Sequence, residues 1–86
     1  MKGKRVLVRS GPDGPLVPLA TFRLVGDRVV ADWHNDHYRE EIESLGHRAL
    51  VAGVPRALRP SDGAMFFDHL EAIYAHSSLI VVETVG

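Results

Sequence analysis

The chain has no cysteine, only two lysines, one tryptophan and no apolar run longer than four residues. The missing cysteine excludes disulfides and thiolate metal sites, and it carries little information about compartment. The short apolar runs, residues 49–52 among them, fall far below the roughly 18 residues that a membrane-spanning helix needs, so no membrane contact is expected. The opening MKGKRVLVRS has the basic start of a signal peptide, but its apolar run is only Val6-Leu7-Val8, so it does not read as one. A cytoplasmic location is the default. With eight arginines to the two lysines, the basic residues fit a GC-rich genome as well as any functional need.

Charge of one sign is missing from whole segments. Residues 61–86 contain no Lys or Arg and carry four acids, whereas residues 46–60 carry three Arg and no acid. Residues 1–28 have a net charge of +4 and residues 29–45 a net of −4, so the overall −1 conceals strong segregation. The sequence pI of about 6.5 is far from the values above 9 that mark a nucleic-acid-binding domain.

At 86 residues the chain reads as one domain, 1–86, with a modest core. Residues 16–33, LVPLATFRLVGDRVVADW, organise the rest. Gly26-Asp27 between two β-rich runs is a two-residue hairpin signal, because such turns need a positive φ at one or both central positions. That turn sets Val25 opposite Arg28, Phe22 opposite Ala31 and Ala20 opposite Trp33. Directly opposed residues share a face, and faces alternate along a strand. One face then carries Ala20, Phe22, Leu24, Val29, Ala31 and Trp33, all apolar, and the other a mixed set. A slip of one residue would destroy this sorting.

The remaining elements follow. Residues 5–9 form a first strand, and Ser10-Gly11-Pro12-Asp13-Gly14-Pro15 reverses the chain. Pro18 belongs at a strand end, an edge or a bulge. Asn35 or Asp36 caps a helix whose stripe is Tyr38, Ile42 and Leu45, stopped by Gly46. Residues 47–60 read as a loop, with a short extended piece at 49–53, bracketed at its end by Pro55 and Pro60. Ser61 or Asp62 opens a second helix with Phe66, Leu70, Ile73 and Tyr74 inward. Leu79-Ile80-Val81-Val82 is apolar on both faces, which suits a central or doubly covered strand. It is expected to pair with the first strand. The fold class is therefore α+β: a two-layer sandwich, mainly antiparallel sheet, in the order βββααβ with both helices on one face.

Four places can carry chemistry. Asp32, His34, Asp36 and His37 gather where the third strand meets the first helix, as candidates for general acid-base work. His37 and Glu41 are four apart, and His69 on the second helix can join them if the helices lie side by side, giving a candidate metal set. The bland alternative is a group of solvated polar residues on acidic helices, and no metal or other cofactor is expected. No nucleophile elbow of the G-x-S-x-G kind occurs; Ser61 reads as a helix cap.

Arg5, Arg9, Arg23 and Arg28 all point to the sheet face opposite the helices, and His47, Arg48, Arg56 and Arg59 add a second basic stretch in the loop. An open basic sheet invites nucleic acid, but this face has no Phe, Tyr or Trp on which bases could stack, so that partner is disfavoured. The same face interleaves Leu7, Val25 and Val30 with the arginines, leaving Arg5, Leu7, Arg9, Arg23, Val25, Arg28 and Val30 as the expected binding surface. Two-sided apolar strands and open edges are usually covered by something. A homodimer, or a protein partner, is the expected occupant, and a non-enzymatic assembly module the expected function.

Overall fold

Three strands follow one another from the start of the chain: β1 (Lys2–Arg9), β2 (Leu16–Val25) and β3 (Arg28–Trp33). They are seen in a computed structural model that describes residues 2–86. β2 and β3 meet in the register that the apolar sorting demands, with Ala20 opposite Trp33, Phe22 opposite Ala31 and Leu24 opposite Val29. β1 pairs antiparallel with β2 until the register shifts: Val6 faces Ala20, but Leu7 faces Pro18. Leu19 is thus the extra residue of a bulge, and Pro18 lies beside it, as expected of a residue with no N–H to give.

The last strand, β6 (Ile80–Val85), pairs antiparallel with β1, so the four-stranded sheet runs β3-β2-β1-β6. Its double-sided apolar pattern predicts a central or covered strand. It instead occupies an edge, hydrogen-bonded to β1 alone.

The second layer covers the Phe22 face. Helix α1 (Asp36–Ser44) starts at Asn35, whose Oδ1 accepts the Tyr38 N–H at 2.8 Å. Helix α2 (Ala64–Tyr74) follows a single 3-10 turn at Pro60–Asp62. Between the helices the expected loop is corrected to a hairpin, β4 (His47–Val51) and β5 (Val54–Leu58), which forms a separate two-stranded sheet. Its turn is Ala52-Gly53, both at positive φ (53° and 81°), the conformation that a two-residue hairpin needs. An alanine there sends no turn signal, and Pro55 argues for a loop. A two-stranded sheet has an outer edge on each strand, and there a proline is tolerated.

The core is Val6, Ala20, Phe22, Tyr38, Ile42, Leu58, Phe66, Phe67 and Leu70. Phe22 is its centre, edge-on to Trp33 (ring centroids 5.4 Å) and to Phe66 (5.0 Å). Leu45, expected in the α1 stripe, is instead 66% exposed, because it lies at the C-cap where the helix ends. Lys4 is also on the inner face. Its Nζ donates to the Phe67 carbonyl (2.9 Å), pairs with Glu71 (3.3 Å) and sits over the Phe67 ring (4.4 Å to the centroid). A charge is carried under α2 by satisfying it three ways while its stem packs on apolar surface.

Candidate functional site

The corner between β3 and α1 splits in two. Asp32 and His34 come together on the outer face of the sheet, with His34 Nε2 at 3.9 Å from Asp32 Oδ2 and 3.4 Å from the Thr21 hydroxyl. Asp36 lies on α1, at 4.0 Å from Arg39. His37 lines a shallow groove on α1 with Glu40, Glu41, Ser44 and Leu45. His69 lines a different groove, with Arg48, Leu50, Ile73 and His76. Among the described residues no three His, Asp or Glu side chains stand close enough to hold a metal ion, so His37, Glu41 and His69 are not brought together. His69 and His76 line one groove together, although α2 ends at Tyr74 and leaves His76 beyond the helix.

The tightest polar cluster is one that sequence reasoning missed. His47, expected in an exposed basic loop with Arg48, Arg56 and Arg59, is buried, only 5% exposed. The β4 alternation turns His47, Ala49 and Val51 inward and Arg48 and Leu50 outward, and that period-two pattern was its one available signal. His47 Nε2 lies 3.2 Å from the Tyr38 hydroxyl and 2.9 Å from that of Tyr74, and the two tyrosine hydroxyls hydrogen-bond each other. The Tyr74 hydroxyl is also 3.0 Å from His47 Nδ1, and its one proton can serve only one of the ring nitrogens at a time. The imidazole stacks on Phe66 at 5.5 Å.

Each shift in this cluster favours the neutral form. Burial lowers the His47 pKa to about 4. Burial raises the Tyr74 phenol to about 12, aided by the charge of Glu41 and opposed by its bond to Tyr38. Burial also raises Tyr38, with Tyr74 and Glu41 adding to it. A catalytic base needs a pKa near the working pH, and an activated tyrosine needs a lowered one. This triad has neither. It acts as a satisfied polar core that joins α1, β4 and α2.

The outer sheet face is different, because none of the described helices or strands packs over it. It presents Leu7, Val81 and Val85 half-buried, and Val25 and Val30 48% and 56% exposed. Arg5 is tied to Glu83 at 3.1 Å, and Arg9 donates to the Gly14 carbonyl at 3.0 Å. Arg23 and Arg28 have no ion pair among the described residues. No aromatic side chain lies among these residues. The face is mixed apolar and basic, with half of its arginines already engaged. Among the described residues no helix is long and apolar enough to cross a membrane. Neither a protein-family model, nor a curated protein sequence, nor a solved structure matches this chain.

Proposed function

We propose that this protein is a cytoplasmic, non-enzymatic assembly module that associates with a second copy of itself through its four-stranded sheet. The observation that carries this reading is the one-sided sheet. α1, the β4–β5 hairpin and α2 all lie on the Phe22 face, while the face holding Arg5, Leu7, Arg9, Arg23, Val25, Arg28 and Val30 is left without a covering layer and β6 forms an edge with no strand beyond it among the described residues. Sheets with open edges and exposed branched residues pair with other chains unless guarded. A second copy is the simplest occupant, since a two-fold contact needs only one self-complementary surface. The cytoplasmic placement rests on sequence composition alone.

Light scattering across a concentration series tests this. Self-association predicts a mass rising from that of the 9.5 kDa chain toward twice that value. A mass fixed at the single chain throughout the series contradicts it.

A further inference from the structure

We infer that the contact lies at the β6 edge: β6 of one chain pairs antiparallel with β6 of a second, Val82 opposite Val82 across a two-fold axis, joining two four-stranded sheets into one of eight. This rests on the self-association reading above and names its surface.

The ladder shows what the edge offers. The Arg9 N–H donates to the Leu79 carbonyl at 2.7 Å, and residues 9 and 79 stand directly opposite in the register that sets Val6 against Val82. They are therefore a hydrogen-bonded pair, and such pairs recur at every second residue. Val81, Glu83 and Val85 turn their backbone groups to β1. Ile80, Val82 and Thr84 turn theirs away, toward a side on which no strand pairs. Three N–H and three C=O groups thus line the free edge of β6.

Nothing guards this edge. β6 contains no proline, no lysine or arginine and no bulge in its pairing with β1, the devices that ordinarily blunt edge strands. Its one charge, Glu83, is engaged by Arg5 within the chain. Its apolar residues lie on both faces, Ile80 and Val82 inward and Val81 and Val85 outward, the pattern of strands from the interior of a sheet, whose faces are covered. β3, at the opposite edge, carries Arg28 and Asp32.

Face matching and charge choose the register. Opposed residues must share a face, so Val82 can oppose Val82, or Glu83 can oppose Glu83, but Val82 cannot oppose Glu83. The Glu83 register sets like charges directly opposite each other, which is destabilising. The Val82 register opposes Ile80 to Thr84 and Val81 to Glu83. It pairs all three outward-turned residues of each strand and moves the two carboxylates onto a diagonal.

Amide hydrogen exchange, read residue by residue at high concentration and after dilution, tests the inference. The amides of Ile80, Val82 and Thr84 should be protected in the concentrated sample and exchange freely on dilution, while those of Val81, Glu83 and Val85 stay protected in both. Val82→Pro and Thr84→Pro each remove a donor that the β1 ladder does not use. Each should raise the dimer dissociation constant at least tenfold with an unchanged circular dichroism spectrum. Thr84 is exposed, so its variant decides the matter if Val82→Pro disturbs the fold. A dimer whose Ile80, Val82 and Thr84 amides exchange freely, or which survives Thr84→Pro unweakened, overturns the β6 contact and leaves self-association standing on another surface. A single-chain mass at every concentration overturns both.

Discussion

At the scale of the residue, His47 holds the most consequence. Its folded pKa of about 4 lies below the ordinary value of about 6.5, so the unfolded chain binds the proton first. Stability is therefore full above about pH 6.5 and falls as the pH drops toward 4, by on the order of 3 kcal/mol at about 1.36 kcal/mol per unit. Urea titrations at stepped pH should show this loss. They should show it flattened in His47→Phe, where an apolar ring keeps the stack on Phe66 and cannot protonate. A slope in that variant equal to the parent's would assign the acid limb elsewhere. Gly63 is the second such residue. It adopts φ +66°, and a Cβ added there would lie 2.1 Å from the Asp27 carbonyl oxygen, so the start of α2 touches the β2–β3 turn through a glycine. Gly63→Ala should cost at least about 2 kcal/mol, from backbone strain plus the clash. Gly26→Ala shares φ +66° but meets only open space, and should cost about 1 kcal/mol. Equal losses in the two variants would contradict the contact. Neither residue was legible in the sequence. A histidine flanked by Gly46 and Arg48 looks like loop, and the Gly63 contact joins segments 36 residues apart.

At the scale of the element, the β2–β3 hairpin was fully legible, down to its register. It satisfies a local rule twice: a glycine turn, and apolar residues that sort to one face only when that turn is used. Phe22 shows what the sorting achieves, since it is fully buried between Trp33 and Phe66. Phe22→Ala should destabilise by about 3–5 kcal/mol in chemical denaturation, and a loss below about 1 kcal/mol would mean that the core is not packed around it. The α1 cap and the pairing of β6 with β1 were legible for similar reasons. The β4–β5 hairpin was not. Its turn uses an alanine at positive φ, and its strands bury only His47 and Leu58 fully, leaving too little apolar alternation to outweigh Pro55. Lys4 was missed because its three partners, all on α2, are more than 60 residues away in sequence. For the candidate site, the place of His69 on α2 was readable, but the helix ends at Tyr74, short of His76. The grouping of His37 with His69 depended on how the helices pack, which spacing cannot supply.

At the scale of the whole molecule, local pattern and final position agree nearly everywhere, and such agreement is what lets a sequence specify one fold. β6 is the exception: a strand patterned for two-sided cover that lies at an edge. The outer sheet face repeats the mismatch more mildly, with Val25 and Val30 exposed between arginines. The β6 mismatch is resolved if a second copy completes the sheet, whereas Val25 and Val30, on β2 and β3, stay uncovered by that pairing. Small-angle X-ray scattering over a concentration series measures this most directly, because it reads mass and extension together. The single chain has a Cα radius of gyration of 12.5 Å. Completion of the sheet by a second copy predicts that the forward scattering per unit concentration doubles while the radius of gyration rises well above that value, toward an elongated particle. A radius that stays near 12.5 Å with the mass of one chain at every concentration would contradict it.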